Sequence, residues 1–442
     1  MKEKINPQIS LFEFYAEHEM AQQLKSISTF LDNHSAIVDL AAQDLCGNTK
    51  SDSGRKGLTA DSILRAALLK QMMGLSYEEL SFYLVDSISY RSFTRLSCDE
   101  ISSSGLQANI VKITAPTWER INHILLGSAA KQKIEKGRTV RIDSTVTETN
   151  IHAPTDSSLL WDCIRTMVRL LSQLKNAVVQ EKLYFCDHSR SAKRLAFQIQ
   201  YARGAKNKKY YGKLLKLAES TKNYLLNAME ANPSSFGALL LEQTSSIIDL
   251  TNKVLSQTRR RVIHNEKVPV ADKVCSIFEP HSDIIVKGSR DVQFGHKLNI
   301  TTGKSGLVLD VVIEQGNPAD TAQLCPMIAR QKTIYGQVPR QAAADGGYAS
   351  QDNLKQAKDM GVKDVSFNKK KGLKVEDMVK SSWVYKRLTK FRAGIEGNIS
   401  CLKRRYGLGR CTWRGKEKFN AFVWASTVAY NLMLLARLNI AT

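Results

Sequence analysis

Three acids stand apart from the rest of this 442-residue chain: Asp143, at the end of the β-branched run Thr139–Ile142; Asp345, just before Gly346 and Gly347; and Glu396, inside a cationic segment. Between Lys380 and Lys418 there are twelve Lys or Arg and two acids, Glu396 and Glu417. An acid in such surroundings weakens the attraction for a polyanion unless it holds a metal. Three carboxylates and a substrate phosphate supply the hard oxygen ligands that two Mg²⁺ ions, or Mn²⁺ in their place, need at a separation of about 3.5–4 Å. One ion can then activate water or a 3′ hydroxyl while the other stabilises the leaving oxygen of an in-line phosphodiester displacement. Histidine is not required.

Spacing around Glu396 adds geometry. Arg392, Glu396 and Lys403 stand at i, i+4 and i+11, which on a 3.6-residue helix projects all three from one side. The bland alternative is a surface i,i+4 ion pair worth about 0.2–0.5 kcal/mol. Gly394 and Gly397 argue against it, because glycine destabilises an exposed helix, and close approach of a DNA backbone would explain both. Glu148, Asp156 and Asp310 are rival acids that spacing alone does not exclude. Gly303, Lys304 and Ser305 mimic the tail of a phosphate-binding loop, but Leu298 occupies the position of its first glycine. His152 is expected to make a structural hydrogen bond, and Trp161 and Trp413 to serve packing before base stacking.

The elements that must position these residues can be read in order. As far as about Lys136 the pattern is helical. Thr59 caps one helix, Gly74 supplies a left-handed exit, and Ser76 with Glu79 makes a capping box for the next, a helix-turn-helix shape that an ordinary helical hairpin would share. At Arg138 the period changes to a strand that delivers Asp143. Helical period returns from about Asp156 to Lys267, and His188–Ala218 holds nine Lys or Arg and no acid, among them Lys193, Arg194, Lys208 and Lys209. Such a run suits a phosphate-facing surface, and Arg259, Arg260 and Arg261 extend the bias. A hairpin follows over 296–313, then a helix over 319–335, strands over 340–344 and 362–367, and a basic helix from Trp383 to Arg405. Phe419–Ala436 has no charge over 18 residues, the lower edge of a bilayer span, yet its polar residues and cationic flanks predict a buried helix.

Composition bounds the rest. A hydrophobic content of 43% excludes disorder and fibre, and 64 Lys and Arg against 42 Asp and Glu give a formal charge of +22, which points to nucleic acid. The start, MKEKINPQIS, has no apolar leader, so a cytoplasmic, nucleoid-associated protein without a membrane anchor is expected. Eight cysteines without a C-x-x-C pair read as reduced thiols.

The segment FRAGIEGNISCLKRRYGLGR, with ADGGY ending at Tyr348 and VRIDST around Asp143, resembles the DDE transposases of bacterial insertion sequences. That family's signature is tyrosine, two residues, arginine, three residues, glutamate, six residues, lysine. Arg392, Glu396 and Lys403 fit it, while Thr389 stands at the tyrosine position. The run from Gly57 to Leu96 is similar to the family's helical N-terminal domain. The resemblance implies an α/β, RNase-H-like mixed sheet with flanking helices, with Asp143 and Asp345 on adjacent central strands and Glu396 on a later helix. The expected domains are a helical DNA-binding region over 1–136, the catalytic domain over 137–154 and 271–442, and a helical basic insertion over 155–270. By the same resemblance Asp143, Asp345 and Glu396 hold two Mg²⁺ ions, and Arg392, Lys403, Arg404 and Arg405 meet phosphate. The insertion would grip double-stranded DNA, and a homodimer on DNA would bind terminal inverted repeats, cut there and join the 3′ ends to target DNA. A stand-alone nuclease of the same fold and a noncatalytic DNA-binding regulator are the rivals.

Overall fold

The computed structural model describes residues 4, 14–46, 57–96, 101–177, 183–231, 238–287, 291–368 and 372–440. Cys98 and most of the N-terminal stretch read for a leader lie outside them. The other seven cysteines are free thiols. The chain forms two compact units, one of residues 1–150 with 285–442 and one of residues 151–284.

Among the described residues seven helices open the first unit: α1 (Glu19–Asn33), α2 (Ser35–Cys46), α3 (Ala60–Met73), α4 (Tyr77–Asp86), α5 (Ile88–Thr94), α6 (Ser103–Ile110) and α7 (Ala115–Lys131). The caps act as their residue types dictate. Thr59 accepts from the Ser62 amide, Gly74 takes φ 67°, and Ser76 and Glu79 satisfy each other's backbone in a complete capping box.

Strand β1 (Thr139–Glu148) follows, and the chain then leaves for the second unit. There α8 (Asp156–Ala177), α9 (Ser189–Tyr201), α10 (Gly204–Ala231) and α11 (Ala238–Thr258) pack around a separate apolar core that includes Leu160, Ile164, Leu171, Leu214 and Leu225. The chain returns through β2 (Asp283–Lys287) to β3 (Asp291–Thr302), β4 (Val308–Ile313), α12 (Leu324–Tyr335), β5 (Gln341–Ala344), α13 (Gln351–Asp359), β6 (Asp364–Phe367), α14 (Val375–Met378), α15 (Ser382–Arg405) and α16 (Lys416–Ile440).

The strands form one mixed sheet in the order β2-β3-β1-β5-β6, with β4 also on β3. β1 runs antiparallel to β3, with Asp143 opposite Ile300, and parallel to β5, from Thr139 opposite Gln341 to Ile142 opposite Ala344. β5 runs parallel to β6. This antiparallel-then-parallel arrangement with flanking helices is the RNase-H-like α/β fold. β1 does not stop at Ile142 as its β-branched run suggested; pairing with β3 carries it to Glu148. Only its parallel pairing ends at Ile142, so Asp143 emerges where the neighbouring strand gives out.

Helix α16 is long and apolar enough to cross a membrane, but 89% of its apolar window is buried inside the protein. Each fully buried Leu, Val or Phe side chain contributes about 1.5–3 kcal/mol. Its polar Asn431 is satisfied in place: the side-chain amide donates to the Val308 carbonyl (2.7 Å) and to Asn122 (2.7 Å), and its oxygen accepts from the Val308 amide (2.8 Å). Because α16 packs on α1, α3, α7 and β4, the N-terminal helices and the sheet share one hydrophobic core. The change of period at Arg138 therefore marks a change of secondary structure and not a break in packing.

Candidate active site

Each of the three acids is held by a different element. Asp143 sits on β1, and its Oδ1 accepts the Ser144 amide at 2.8 Å, which leaves Oδ2 to face the site. Asp345 ends β5 and begins a short helical turn over Gly346–Tyr348. A Cβ at Gly347 would lie 2.7 Å from the Asp320 carboxylate, so a larger residue here would have to displace that side chain, which pairs with Lys297 (2.7 Å). Glu396 lies on α15, which packs across β1, β5 and β6.

Arg141, which sequence reasoning did not single out, fastens α15 to β1. Its Nε donates to Thr302 (2.8 Å), Nη1 to the Phe391 carbonyl (2.8 Å) and Nη2 to Asn398 (2.5 Å), while the guanidinium lies 4.7 Å from the Phe391 ring centre. Burial draws its pKa down, the nearby Tyr430 opposing the shift. A Cβ at Gly394 would fall 2.1 Å from Arg141 Nη1. Gly394 is thus required by the chain's own arginine, and the expectation that an approaching DNA backbone explains it is corrected. Gly397 has open space around it.

Four side chains then meet. Arg392 Nη2 is 2.8 Å from Asp143 Oδ2 and 3.3 Å from Asp345 Oδ1, and its Nη1 is 3.0 Å from Glu396 Oε1. Side-chain exposure rises across the group, from 11% for Arg392 and 15% for Asp143 to 40% for Asp345 and 66% for Glu396. The site therefore has a shielded floor and an open rim. Asp143, Ser144, Glu396, Ser400, Lys403 and Arg404 line one open cleft of about 410 Å³. Arg405 is exposed at the end of α15. Below the acids, Tyr348 donates its hydroxyl to Asn299 (2.6 Å), and Asn299 donates to Glu314 (2.6 Å). Burial, reinforced by Asp320 and Asp143, pushes the Tyr348 phenol far up, so it stays a neutral support.

The three carboxylates fit a hard divalent cation by donor type and by convergence from three segments. Among the described residues, however, no three acids or imidazoles are already arranged as a metal cage, since Arg392 stands between them.

Two of the rival acids have other partners, and the third lies at the far end of β1. Asp310 is fully buried against Arg330 (2.5 Å), and Asp156 pairs with Arg261 (3.1 Å) in the second unit. The backbone of Glu148 bridges to the segment around Arg410. His152 lies 3.4 Å from Asp162. Ser305 donates its amide (2.9 Å) and hydroxyl (2.8 Å) to Glu135, which makes the glycine-flanked turn at 303–306 a structural one. Trp413 packs edge-on against Phe422. Thr389 bonds the Tyr385 carbonyl within the helix (3.0 Å).

Two cationic expectations need correction. Arg259 pairs with Glu219, Arg260 with Glu266 and Asp272, and Arg261 with Asp156, so this run is neutralised internally. The second member of the helix-turn-helix-like pair, α4, exposes Glu78, Glu79, Phe82, Tyr83, Val85 and Asp86 and carries no cation. Such a face has nothing to offer a phosphate backbone. The turn between α3 and α4 instead lies beside the end of α15, where a Cβ at Gly74 would stand 3.5 Å from the Arg405 carbonyl. In the second unit Lys193, Arg194, Lys208 and Lys209 are exposed, with Lys193 5.8 Å from the Trp161 ring centre and Lys208 donating to the Ile263 carbonyl (3.2 Å).

Comparison with known families agrees with this geometry. Residues 286–432 match the family model described as Transposase DDE domain, and residues 18–105 match that described as Transposase domain (DUF772). No curated protein and no solved structure matches the chain. The first match contains Asp345 and Glu396, while Asp143 precedes it across the second unit and joins the pair through the sheet. With both a transposase N-terminal region and a DDE domain on an RNase-H-like sheet, the chain belongs to the DDE transposases of insertion sequences.

Proposed function

We propose that this transposase binds the terminal inverted repeats of its element, cleaves DNA at the element ends and joins the freed 3′ ends to target DNA at the same site. The observation that carries the reading is the convergence of Asp143, Asp345 and Glu396 on one guanidinium at an open cleft lined by Lys403 and Arg404. Asp143, Asp345 and Glu396 would hold divalent ions, two Mg²⁺ or Mn²⁺. When bound, such ions supply Lewis acidity toward attacking and leaving oxygens. The chain's own part is positioning. β1 and β5 hold two acids at fixed register, α15 brings the third, and Arg141 sets the height of α15 on the sheet. Lys403 and Arg404 hold the phosphate backbone next to the acids, with Arg405 one step beyond. Exposed Lys193, Arg194, Lys208 and Lys209 would grip flanking duplex, and affinity would fall steeply as salt rises. Two ends must be joined, so the active form is a homodimer on DNA.

The test is incubation of the full chain with duplexes carrying the repeats that flank its gene, in Mg²⁺ or Mn²⁺. Cleaved ends together with joined products are expected, and Asp143→Asn should remove both while DNA binding persists. Cleavage without joining would mark a stand-alone nuclease. Binding that Asp143→Asn leaves unchanged, with no cleavage by the unmodified protein, would mark a regulator.

A further inference from the structure

A single positive charge sits where three negative charges converge. Arg392 Nη2 is shared by Asp143 and Asp345, and Nη1 takes Glu396, so every acid of the site spends an oxygen on the same guanidinium. A small divalent ion draws its carboxylate oxygens in to about 2.0–2.1 Å, where the guanidinium would face it a few ångströms away in a partly shielded cleft. The two cations compete for one set of oxygens. Arg392 is also incompletely satisfied in this position: its Nε is buried with no hydrogen-bond partner among the described residues. A planar guanidinium pairs with phosphate as well as it does with carboxylate. Beside Arg392 and Glu396 on α15 stand exposed Ala393 and Gly397, small residues that leave the approach to the site open.

We infer that Arg392 is an exchangeable counter-ion of the catalytic acids. Without nucleic acid it neutralises the three carboxylates and disfavours divalent ions; a DNA phosphate at the cleft offers it a second anion, and its departure frees the acids to load metal. DNA and metal then bind with positive coupling, and by linkage each must tighten the other by the same factor. This rests on the reading that Asp143, Asp345 and Glu396 hold metal, and it adds a reason for metal to load at the substrate and not ahead of it.

The experiment is Mn²⁺ binding to the full chain, read calorimetrically and by the electron paramagnetic resonance of free Mn²⁺, with and without a short DNA duplex made uncleavable at its phosphates. Expected for the unmodified protein is weak Mn²⁺ binding that the duplex tightens by about tenfold, within the usual range of such couplings. Arg392→Gln should bind Mn²⁺ about tenfold more tightly without DNA and respond little to the duplex. Arg392→Lys, which keeps a charge and the fold, should fall between them. Equal Mn²⁺ affinity in the unmodified protein and both variants without DNA would overturn the exchange. Asp143→Asn separates the two ideas: Mn²⁺ binding that survives it unchanged removes the metal reading and this inference together, whereas binding lost in Asp143→Asn but indifferent to residue 392 removes the exchange alone.

Discussion

The first unit contains two clusters of arginine and carboxylate that look alike in composition and differ in purpose. In the N-terminal helices Arg65 and Arg95 share Asp61 and Asp32, two cations against two anions. Arg65 is 0% exposed, and all its nitrogens are used: Nε on Asp61 (2.7 Å), Nη1 on Ser28 (2.8 Å) and the Phe93 carbonyl (3.3 Å), Nη2 on Asp32 (2.8 Å). At the sheet, one arginine faces three acids, two of which, Asp143 and Glu396, line an open cleft, and its Nε has no partner among the described residues. A charge-balanced cluster whose central arginine is buried and saturated holds helices together. The other has surplus negative charge and an open side, which under the proposed function a further cation would offset.

The comparison breaks most directly at Asp143. Asp143→Asn should lower cleavage by about 10³-fold or more, since a metal ligand supports several kcal/mol of transition-state stabilisation. It should leave the thermal midpoint near that of the unmodified protein, because it relieves the surplus of acids. Arg65→Met should do the reverse, removing about 3 kcal/mol of stability by leaving buried Asp61 only its longer contact with Arg95 (3.2 Å), read as a shifted urea midpoint. If the two variants exchange these effects, the distinction between the clusters is lost.

Lys70 sharpens the rule from the other side, as a buried cation placed against the Tyr77 ring, 4.6 Å from its centre. Burial lowers its pKa to about 8, with Cys411 and Glu79 opposing. The folded state thus releases this proton before the unfolded state does. The penalty of burying the charge is fully present below pH 8 and fades as pH rises toward about 10.4. Lys70→Met should be more stable than the unmodified protein by about 2–3 kcal/mol at pH 7, and the gap should close with rising pH. Unfolding curves at pH 7, 9 and 10 would decide it, and a gap independent of pH would count against a charged Lys70.

Smaller effects are expected where the site is merely positioned. Gly394→Ala must push Arg141 aside, for a loss of about 1–3 kcal/mol. Because α15 carries Glu396, cleavage should weaken along with stability. Lys403→Ala should reduce the slope of log affinity for DNA against log salt by about 1, with little change in stability.

Local features were the legible part of this protein. The Thr59 cap, the left-handed Gly74, the Ser76–Glu79 box and the hairpin over 296–313 depend on neighbours a few residues apart, and each stands where residue type and spacing put it. The basic helix over 383–405 and the buried C-terminal helix were equally plain, because periodicity and charge define them. Arg141 was not legible, since nothing near it in sequence announces Phe391 and Asn398, and Gly394 was misread for the same reason: its steric partner is 253 positions away. The face of α4 could have been read from its three acids alone, had the helix-turn-helix shape not drawn attention to its outline.

By itself, then, the order of residues determined a basic α/β protein with three isolated acids and a cationic helix, since helical period, caps, turn glycines and charge runs act over short distances. Only the tertiary structure decided that one guanidinium closes on all three acids. That outcome depends on the register of β1 against β5 and on the height of α15 above them, which are set by packing between segments some two hundred residues apart.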